Sequence, residues 1–300
     1  MSVIHEREEC MPTLYVVATP IGNFGDFSPR AQEVLSSVGL IAAEDTRVTK
    51  GLLTHFGIHT ACVSNHKFNE EDRADPIIER MLSENIDVAL VTDAGTPAIS
   101  DPGSVLVDKA LQAGIEVLAV PGPTAMASAL SVSGFDTREF AFYGFLPRKR
   151  GDLSKKLHEM ALGPKIAVVH ESPHRVIELM EVIASEFPLS RVSASCDLTK
   201  FYEKTIRGYA PEVLSMLESN EKTEKGEYCL VLDFHEVKTE EAETSLGLSC
   251  EGMLLEMMVN GKSMEEALDQ LKASGKKRNE LYAAKEKVKN FLSEMAGWGE

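Results

Sequence analysis

Three features are scarce in this sequence of 300 residues: paired cysteines, long apolar runs and basic side chains. The five cysteines are far apart and form no Cys-x-x-Cys pair, so neither a zinc site nor a disulfide framework is indicated. No apolar run approaches the roughly 18 residues that a membrane-spanning helix needs. The acidic N-terminal stretch lacks the basic and apolar regions of a signal peptide. We therefore expect a cytoplasmic protein without a membrane partner.

Basic residues are outnumbered, 31 against 47 acidic ones, which gives a formal net charge of -16. Such a charge opposes nonspecific binding to nucleic acid. Two segments depart from this balance: Leu146–Lys156 contains five basic residues and one acidic residue, and Lys272–Lys289 contains seven basic and two acidic residues. Each segment is either a solvated face or a local contact for phosphate groups.

From Thr13 onward, short β-rich runs alternate with amphipathic stretches, and this alternation predicts an α/β fold. The predicted buried strands are Leu14–Thr19, Leu40–Ala43, Val88–Thr92, Val117–Val120, Ile166–His170 and Val192–Cys196. A break containing Gly and Pro at Phe142–Gly151 predicts two α/β domains, residues 13–144 and 145–237, the second with a mixed sheet. A small helical domain, residues 246–300, follows them.

Two familiar motifs are present only in part. His170 and His174 have the spacing of H-E-x-x-H, but the predicted strand ends at His170 and Pro173 starts a new element, so the rings do not share a helix face. The Gly261-Lys262-Ser263 triplet lacks the earlier glycine of a phosphate-binding loop, and no predicted strand-to-helix turn carries G-x-G-x-x-G. We therefore predict neither a metal site nor a glycine-rich dinucleotide site.

The loops after the predicted strands carry the most informative residues, because ligands of parallel α/β sheets bind beyond the carboxyl ends of the strands. In Thr92–Gly103 small residues let a ligand approach the backbone, and Asp93 offers a hydrogen-bond acceptor. Asp101 is expected to cap the next helix. The loop Val120–Ala125 repeats this composition, so both loops are predicted to line a binding site.

The loop Glu44–Arg47 places two carboxylates, a hydroxyl and a guanidinium at the same predicted edge. One interpretation is a helix cap made by Asp45 or Thr46, with Arg47 paired locally. The other interpretation is a contact with substrate. The residue types alone leave both open.

Taken in order, the loop motifs resemble the tetrapyrrole methylase superfamily of S-adenosylmethionine-dependent methyltransferases. The stretches that carry the resemblance are Ala18–Asn23, Glu44–Arg47, Thr92–Gly103, Pro121–Ala125, Phe145–Pro147, Glu171–Arg175 and Leu198–Lys200. Within the superfamily the chain is similar to the bacterial branch that methylates the 2'-hydroxyl of a cytidine ribose in 16S ribosomal RNA. It departs from that branch at Cys196, Asp197 and Lys204, where arginine, glutamate and glutamate are usual.

The resemblance implies two α/β domains with S-adenosylmethionine bound in the cleft between them. Carried over residue by residue, it implies a cofactor site made of Pro20, Asp93, Ala94, Gly95, Thr96, Ile99, Thr124 and Ala125. The candidates for catalysis are Lys200, His66 and Glu171. The candidates for contacts with RNA are Arg47, Arg175, Arg148, Lys149, Arg150, Lys276, Lys277 and Arg278.

The implied substrate is 16S ribosomal RNA, either free or within the 30S subunit, and the superfamily pattern implies a homodimer. Two other functions stay open. The same scaffold supports methylation of a small tetrapyrrole, although the basic helical segment and the Glu44–Arg47 motif argue against it. A non-enzymatic RNA-binding protein would use the basic helices alone, with the Gly/Pro-rich loops as connections.

Overall fold

A computed structural model describes residues 11–237 and 249–296, and the chain divides into two compact units, Met1–Val237 and Lys238–Glu300. The acidic N-terminal stretch and residues 246–248, the start of the predicted helical domain, lie outside the described residues. Within the described ranges, no helix combines the length and the apolarity needed to cross a membrane.

The first sheet is entirely parallel, with the strand order β3-β2-β4-β1-β5. Its strands are β1 (Thr13–Val17), β2 (Leu40–Ala43), β3 (Cys62–Ser64), β4 (Val88–Val91) and β5 (Glu116–Val120). Every residue of β2 and β4 is buried, because helices cover both faces of the sheet. The carboxyl ends of β4, β1 and β5 are neighbours, so the loops that follow these strands meet at one edge.

Five helices follow these strands. They are α1 (Pro29–Ser37), α2 (Thr46–His55), α3 (Glu70–Glu84), α4 (Ser104–Gln112) and α5 (Ala125–Ser133). Asp45 caps α2 by accepting a hydrogen bond from the Arg47 N–H, as one interpretation of this loop required. The expectation that Asp101 caps α4 is wrong, because Gly103 is the N-cap, with φ +129° and its N–H bonded to Glu70. A Cβ on Gly103 would lie 2.7 Å from Leu90, which explains the glycine.

The second sheet is mixed, as predicted, with the order β6-β7-β10-β8-β9; only β6 and β7 pair in parallel. Its strands are β6 (Ala141–Phe145), β7 (Ile166–Glu171), β8 (Arg191–Cys196), β9 (Lys204–Tyr209) and β10 (Tyr228–Asp233). The start of the Phe142–Gly151 break belongs to β6, which pairs with β7. The 144/145 division therefore falls inside a strand, and both sheets belong to one compact unit.

Helices cover both faces of the second sheet. One face, with Val168 and Val231, packs on α5, and the other, with Val169 and Leu230, packs on three further helices. These helices are α6 (Arg150–Leu162), α7 (Val176–Glu186) and α8 (Ala210–Glu218). Helix α5 thus leaves the first sheet and lies on the second, which places the loop before α5 between the two sheets.

The C-terminal unit is helical, as predicted. Its helices are α9 (Cys250–Val259), α10 (Met264–Ala273) and α11 (Arg278–Ala296). They share a small core of Leu254, Leu271, Leu281 and Val288 among others. The turn Gly261–Ser263 joins two helices, and Ser263 caps α10 through a reciprocal pair of hydrogen bonds with Glu266.

Candidate active site between the two sheets

A cavity of about 530 Å³ opens between the loops of the first sheet and the end of the second. That volume lies within the roughly 300–1,000 Å³ of small-molecule sites. The part of the chain that follows the strands of the first sheet contributes Ile21, Ala94, Gly95, Thr96, Ile99, Asp101, Thr124 and Ala125. Helix α5 and the second sheet with its loops contribute Met126, Phe142, Phe145, His170, Glu171, Ser172, Pro173, Leu198, Gly226, Glu227, Tyr228 and Cys229. Six of the eight residues predicted to bind cofactor therefore line one cavity; Pro20 and Asp93 do not.

The loop after β4 is held against the loop after β1 by its backbone. Gly95 and Thr19 exchange two hydrogen bonds, of 2.9 and 3.0 Å, so both backbone groups of Gly95 are already paired. Gly95 has φ +89°, a conformation that favours glycine. Ala98 and Ser100, three and five residues further on, also have positive φ, which is uncommon for residues with a Cβ. The loop is therefore constrained along its length, as loops at functional sites often are.

The second sheet contributes two buried polar atoms that make no hydrogen bond among the described residues: Nε2 of His170, and Oε2 of Glu171, which lies 3.4 Å from the Arg175 guanidinium. The other carboxylate oxygen of Glu171 accepts a 2.8 Å hydrogen bond from the Ser172 N–H. Burial lowers the pKa of His170, so its ring is neutral, and burial raises the pKa of Glu171. Unpaired polar atoms in a cavity wall are costly, and a bound ligand is one way to pair them.

Asp101 provides a carboxylate with an unusual pKa on the first-sheet side of the cavity. Burial, and then the charges of Glu44 and Asp93, raise its pKa to about 6. Glu44 is held in place by Thr92, whose hydroxyl donates a 2.5 Å hydrogen bond to it. Burial likewise raises the pKa of Asp93, which accepts a hydrogen bond from the Asp45 N–H. Asp101 therefore changes its protonation state close to neutral pH.

Lys200 lies behind the cavity wall and does not line it. Its ammonium group contacts Asp197 at 3.0 Å and Glu227 at 2.9 Å, and Glu227 does line the cavity. Desolvation favours a lower pKa, but the hydrogen bonds to the two carboxylates outweigh it and raise the pKa of Lys200. A Cβ on Gly22 would lie 2.5 Å from Cγ of Lys200, so the glycine lets the two sheets approach here.

Two other candidates for substrate or proton chemistry lie elsewhere. His66 follows the edge strand β3, where its Nδ1 accepts a hydrogen bond from the Phe68 N–H, and it does not line the cavity. Arg175 donates a 3.0 Å hydrogen bond to the carbonyl of Pro147 and lies 3.4 Å from Glu171, so it fastens the β6–α6 loop. Of the three residues predicted to act in catalysis, Glu171 alone lines the cavity.

Most of the basic candidates are exposed, whereas Lys276 is half-buried. Arg47 has a side chain that is 89% exposed and pairs with Asp45 at 2.6 Å. Arg148, Lys149 and Arg150 are exposed at the start of α6, a few residues after Phe145, which lines the cavity and is itself 64% exposed. In the C-terminal unit, Lys276, Lys277 and Arg278 precede or begin α11. The positive end of the helix dipole adds to their charge.

Asp101, His170 and Glu227 line the cavity, although the sequence pattern does not predict this. The place of Asp101 before a helix predicts a cap, and the H-E-x-x-H spacing marks His170 only as a zinc ligand. Glu227 carries no local signal at all. The register of the second sheet reveals both His170 and Glu227. Strand β10 pairs Cys229 with His170 and Tyr228 with Glu171, and Glu227 directly precedes Tyr228.

The lining suits S-adenosylmethionine. Among the described residues, it contains three carboxyl groups, on Asp101, Glu171 and Glu227, but no lysine or arginine. Such a lining favours a cationic sulfonium and disfavours the phosphates of a nucleotide cofactor. The apolar walls, and the atoms of His170 and Glu171 that make no hydrogen bond among the described residues, fit an elongated ligand with its own polar groups.

The fold and the cavity together define a methylase with two α/β halves. Residues 13–214 match the family model of Tetrapyrrole (Corrin/Porphyrin) Methylases, and the chain belongs to this family. The expected superfamily and fold are thereby confirmed.

Several known proteins are similar to this chain. "Ribosomal RNA small subunit methyltransferase I" of Xylella fastidiosa strain Temecula1 is 43% identical over 221 residues, 73% of this chain and 81% of the relative. The protein of the same name from Halalkalibacterium halodurans is 41% identical over 80% of this chain and 82% of the relative. The solved uroporphyrin III C-methyltransferase from Thermus thermophilus has a TM-score of 0.53 at 15% identity, covering 74% of this chain and 97% of that chain, and shows the shared fold.

Proposed function

We propose that the protein transfers a methyl group from S-adenosylmethionine to the 2'-hydroxyl of a cytidine ribose in 16S ribosomal RNA. The observation that carries the proposal is the apolar cavity with carboxyl groups between the two sheets, whose wall contains two buried polar atoms without a hydrogen bond among the described residues. The names of the two bacterial relatives support ribosomal RNA of the small subunit as the substrate class. The cytidine and the 2'-oxygen come from the resemblance of the loop motifs.

The first-sheet loops would hold the cofactor through small residues that let it approach closely. Ala94, Thr96, Thr124 and Ala125 line this side, and Ile99 adds an apolar wall. When bound, S-adenosylmethionine supplies an electrophilic methyl group on a positively charged sulfur. On the opposite side, the carboxyl groups of Glu171 and Glu227 would face this cation, and each also lies beside a basic side chain, Arg175 at 3.4 Å and Lys200 at 2.9 Å.

A ribose hydroxyl is a weak nucleophile, so a group that accepts its proton accelerates the reaction. Asp101 fits this role better than the residues selected from the sequence. It lines the cavity, and its pKa of about 6 makes it mostly ionised at pH 7 while keeping it an effective base. Glu171 is already bonded to the Ser172 N–H and lies beside Arg175, so we assign it to cofactor binding.

Lys200 acts as a positioning residue in this scheme. Its raised pKa keeps it protonated at neutral pH, so it cannot accept the proton of the ribose. Instead, its ammonium group ties Glu227 to the loop that follows β8. The carboxylate of Glu227 is thereby held at the cavity wall. Positioning of this kind contributes strongly to the rates of transfer reactions.

The RNA would approach over exposed basic and aromatic residues. Arg148, Lys149 and Arg150 follow Phe145 closely in the sequence, and an exposed aromatic ring together with cations suits a single-stranded base and its phosphate. Lys276, Lys277 and Arg278 offer a second contact on the helical unit. A homodimer and a cytoplasmic location, both implied by the resemblance or the composition, complete the proposal.

The test is methyl transfer to 30S subunits that lack the modification, with labelled cofactor. We expect label in 16S RNA, and 2'-O-methylcytidine after digestion to nucleosides. Label on a base, or on no RNA component, would overturn the proposal. A parallel reaction with a uroporphyrin-type tetrapyrrole tests the small-molecule alternative. RNA binding without any heat of cofactor binding in calorimetry would instead indicate a non-enzymatic RNA-binding protein.

A further inference from the structure

A second cavity, of about 430 Å³, lies on the opposite face of the second sheet. Its floor is apolar and includes Ala194 of β8, Ile206 of β9 and Leu217 of α8. These residues lie on the face that packs against α7 and α8, whereas the first cavity lies on the α5 side. Nothing in the proposed methyl transfer uses this second cavity.

The two cavities open at the same edge of the sheet. The carboxyl ends of β7 and β8 and the amino end of β10 meet there, and Tyr228 lines both cavities. One ionic chain joins them, since Lys200 contacts Asp197, which lines the second cavity, and Glu227, which lines the first. Asp197 has φ +53°, so the loop between the cavities is constrained. A polymeric ligand that crosses this edge of the sheet therefore reaches both cavities.

The rim of the second cavity is basic in an otherwise acidic protein. Lys204, Lys222 and Lys225 line it and are exposed. Within residues 11–237, none of their ammonium groups has a carboxylate oxygen within 4.0 Å. Asp197, which is paired with Lys200, is the acidic member of the lining.

An exposed aromatic ring completes the rim. Tyr202 lines the cavity and is 75% exposed, and the ammonium group of Lys222 lies 5.3 Å from the centre of its ring. An exposed ring beside a cation, in a cavity with apolar lining residues, matches a base with its phosphate. The side-chain amide of Asn220, also in the lining, can bond to the edge of a base.

We infer that this second cavity binds a nucleotide of the same RNA strand that carries the methylated ribose. The base stacks on Tyr202 over the apolar floor, and Lys204, Lys222 and Lys225 bind the flanking phosphates. This assignment rests on the proposed function, because RNA in the first cavity brings its neighbouring nucleotides to the shared edge. The nucleotide belongs to an RNA chain rather than to a free pool, because the opening lies beside the cleft.

The first experiment compares two variants of the full-length chain with equal charge change. Lys222→Glu/Lys225→Glu removes rim cations, and Arg30→Glu/Arg73→Glu removes two exposed cations on α1 and α3 that line neither cavity. Binding of a fluorescent single-stranded RNA from the 16S sequence is measured by anisotropy across a salt series. We expect the rim variant to weaken binding about tenfold more than the control and to flatten the salt slope by about 0.7 for each lost phosphate contact. Equal effects of both variants would overturn the assignment.

The second experiment tests stacking. Tyr202→Ala is expected to raise the KM for RNA about tenfold with little change in kcat, and Tyr202→Phe to restore it, because stacking on an aromatic side chain needs the ring and not the hydroxyl. An unchanged KM in Tyr202→Ala would overturn the stacking role. Free cytidine monophosphate should compete only at millimolar concentration. Competition at micromolar concentration, or binding of an acidic peptide in place of RNA, would overturn the RNA assignment.

These readouts separate the second cavity from the proposed activity. If the wild-type protein transfers no methyl group to 30S subunits, the proposed function fails. The anisotropy comparison of the rim variant with its control still decides whether the cavity binds RNA. The other case is an active wild-type protein in which the rim variant binds RNA like its control and Tyr202→Ala has an unchanged KM. That result refutes only the assignment of the second cavity to RNA.

Discussion

The two walls of the candidate active site are built in different ways. The wall from the first sheet consists mainly of small residues whose backbone is fixed by pairing between two loops, such as Gly95 bonded to Thr19. The wall from the second sheet contributes polar side chains, His170 and Glu171, each with a buried atom that makes no hydrogen bond among the described residues. The first wall provides shape and the second provides polar recognition. Asp101 is the exception, a titratable group on the first wall.

The comparison is tested most severely by removing one carboxylate from each wall. Asp101→Asn should lower kcat by about 10²- to 10⁴-fold, the usual contribution of a general base. Glu171→Gln should chiefly raise the KM for S-adenosylmethionine. In the wild type, kcat should fall as the pH drops below about 6, because protonation of Asp101 removes the base. The measurement is a pH profile of kcat for the three proteins.

The thermal stability of Asp101→Asn serves as the control for this prediction. The pKa of Asp101 is higher in the folded chain than the ordinary value of 3.8, so the folded state binds the proton more tightly and loses stability as the pH rises from about 4 to about 6. At pH 7.5, Asp101→Asn should therefore have a Tm equal to or above that of the wild type. A lowered Tm together with lost activity would indicate unfolding and would contradict the assigned role.

The shape of the first wall is tested by Gly95→Trp. The indole would enter the cavity, and we expect loss of S-adenosylmethionine affinity by more than about 100-fold, close to 3 kcal/mol. Gly57→Trp is the matched control, since Gly57 also has positive φ, +68°, and has open space around it. Calorimetry measures both variants, with circular dichroism to verify folding. Unchanged affinity in Gly95→Trp would remove this loop from the cofactor site.

How far such a site can be predicted from a sequence depends on how local its parts are. Six residues of the first wall lie on strand-end loops whose composition is visible directly. Strands β1, β2 and β4 were predictable from short apolar runs. In contrast, β3 has three half-buried residues and β6 contains Gly144 at a register shift, so neither shows the pattern of a buried strand. Glu227 reaches the cavity through pairing between distant strands, which no local pattern encodes.

The helical unit should affect RNA binding but not cofactor binding, because the first cavity is built from residues of the unit Met1–Val237. Lys276→Glu/Lys277→Glu/Arg278→Glu should weaken binding of 30S subunits about tenfold and flatten its salt dependence. Glutamates at the start of α11 favour the helix, so the variant should stay folded. Arg30→Glu/Arg73→Glu/Lys50→Glu has the same charge change. Equal affinity of the two variants across a salt series would show that the basic residues are a solvated face.

The smallest expected effect concerns assembly. A homodimer would place two clefts on one particle, and light scattering at micromolar concentration should give twice the chain mass of 32.9 kDa. The mass should be the same for Asp101→Asn and Gly95→Trp, since both changes lie in the cavity. A monomer mass for the wild type would refute the expected assembly and would leave the site within one chain unaffected.

The most direct test of the central claim is calorimetric titration of the wild-type protein with S-adenosylmethionine. The claim is that the two walls together hold this cofactor. We expect one site per chain, with affinity weakened at least about tenfold, or 1.4 kcal/mol, both by Gly95→Trp in the first wall and by Glu171→Gln in the second. Absence of a binding heat in the wild type, or a heat that neither variant alters, would contradict the claim.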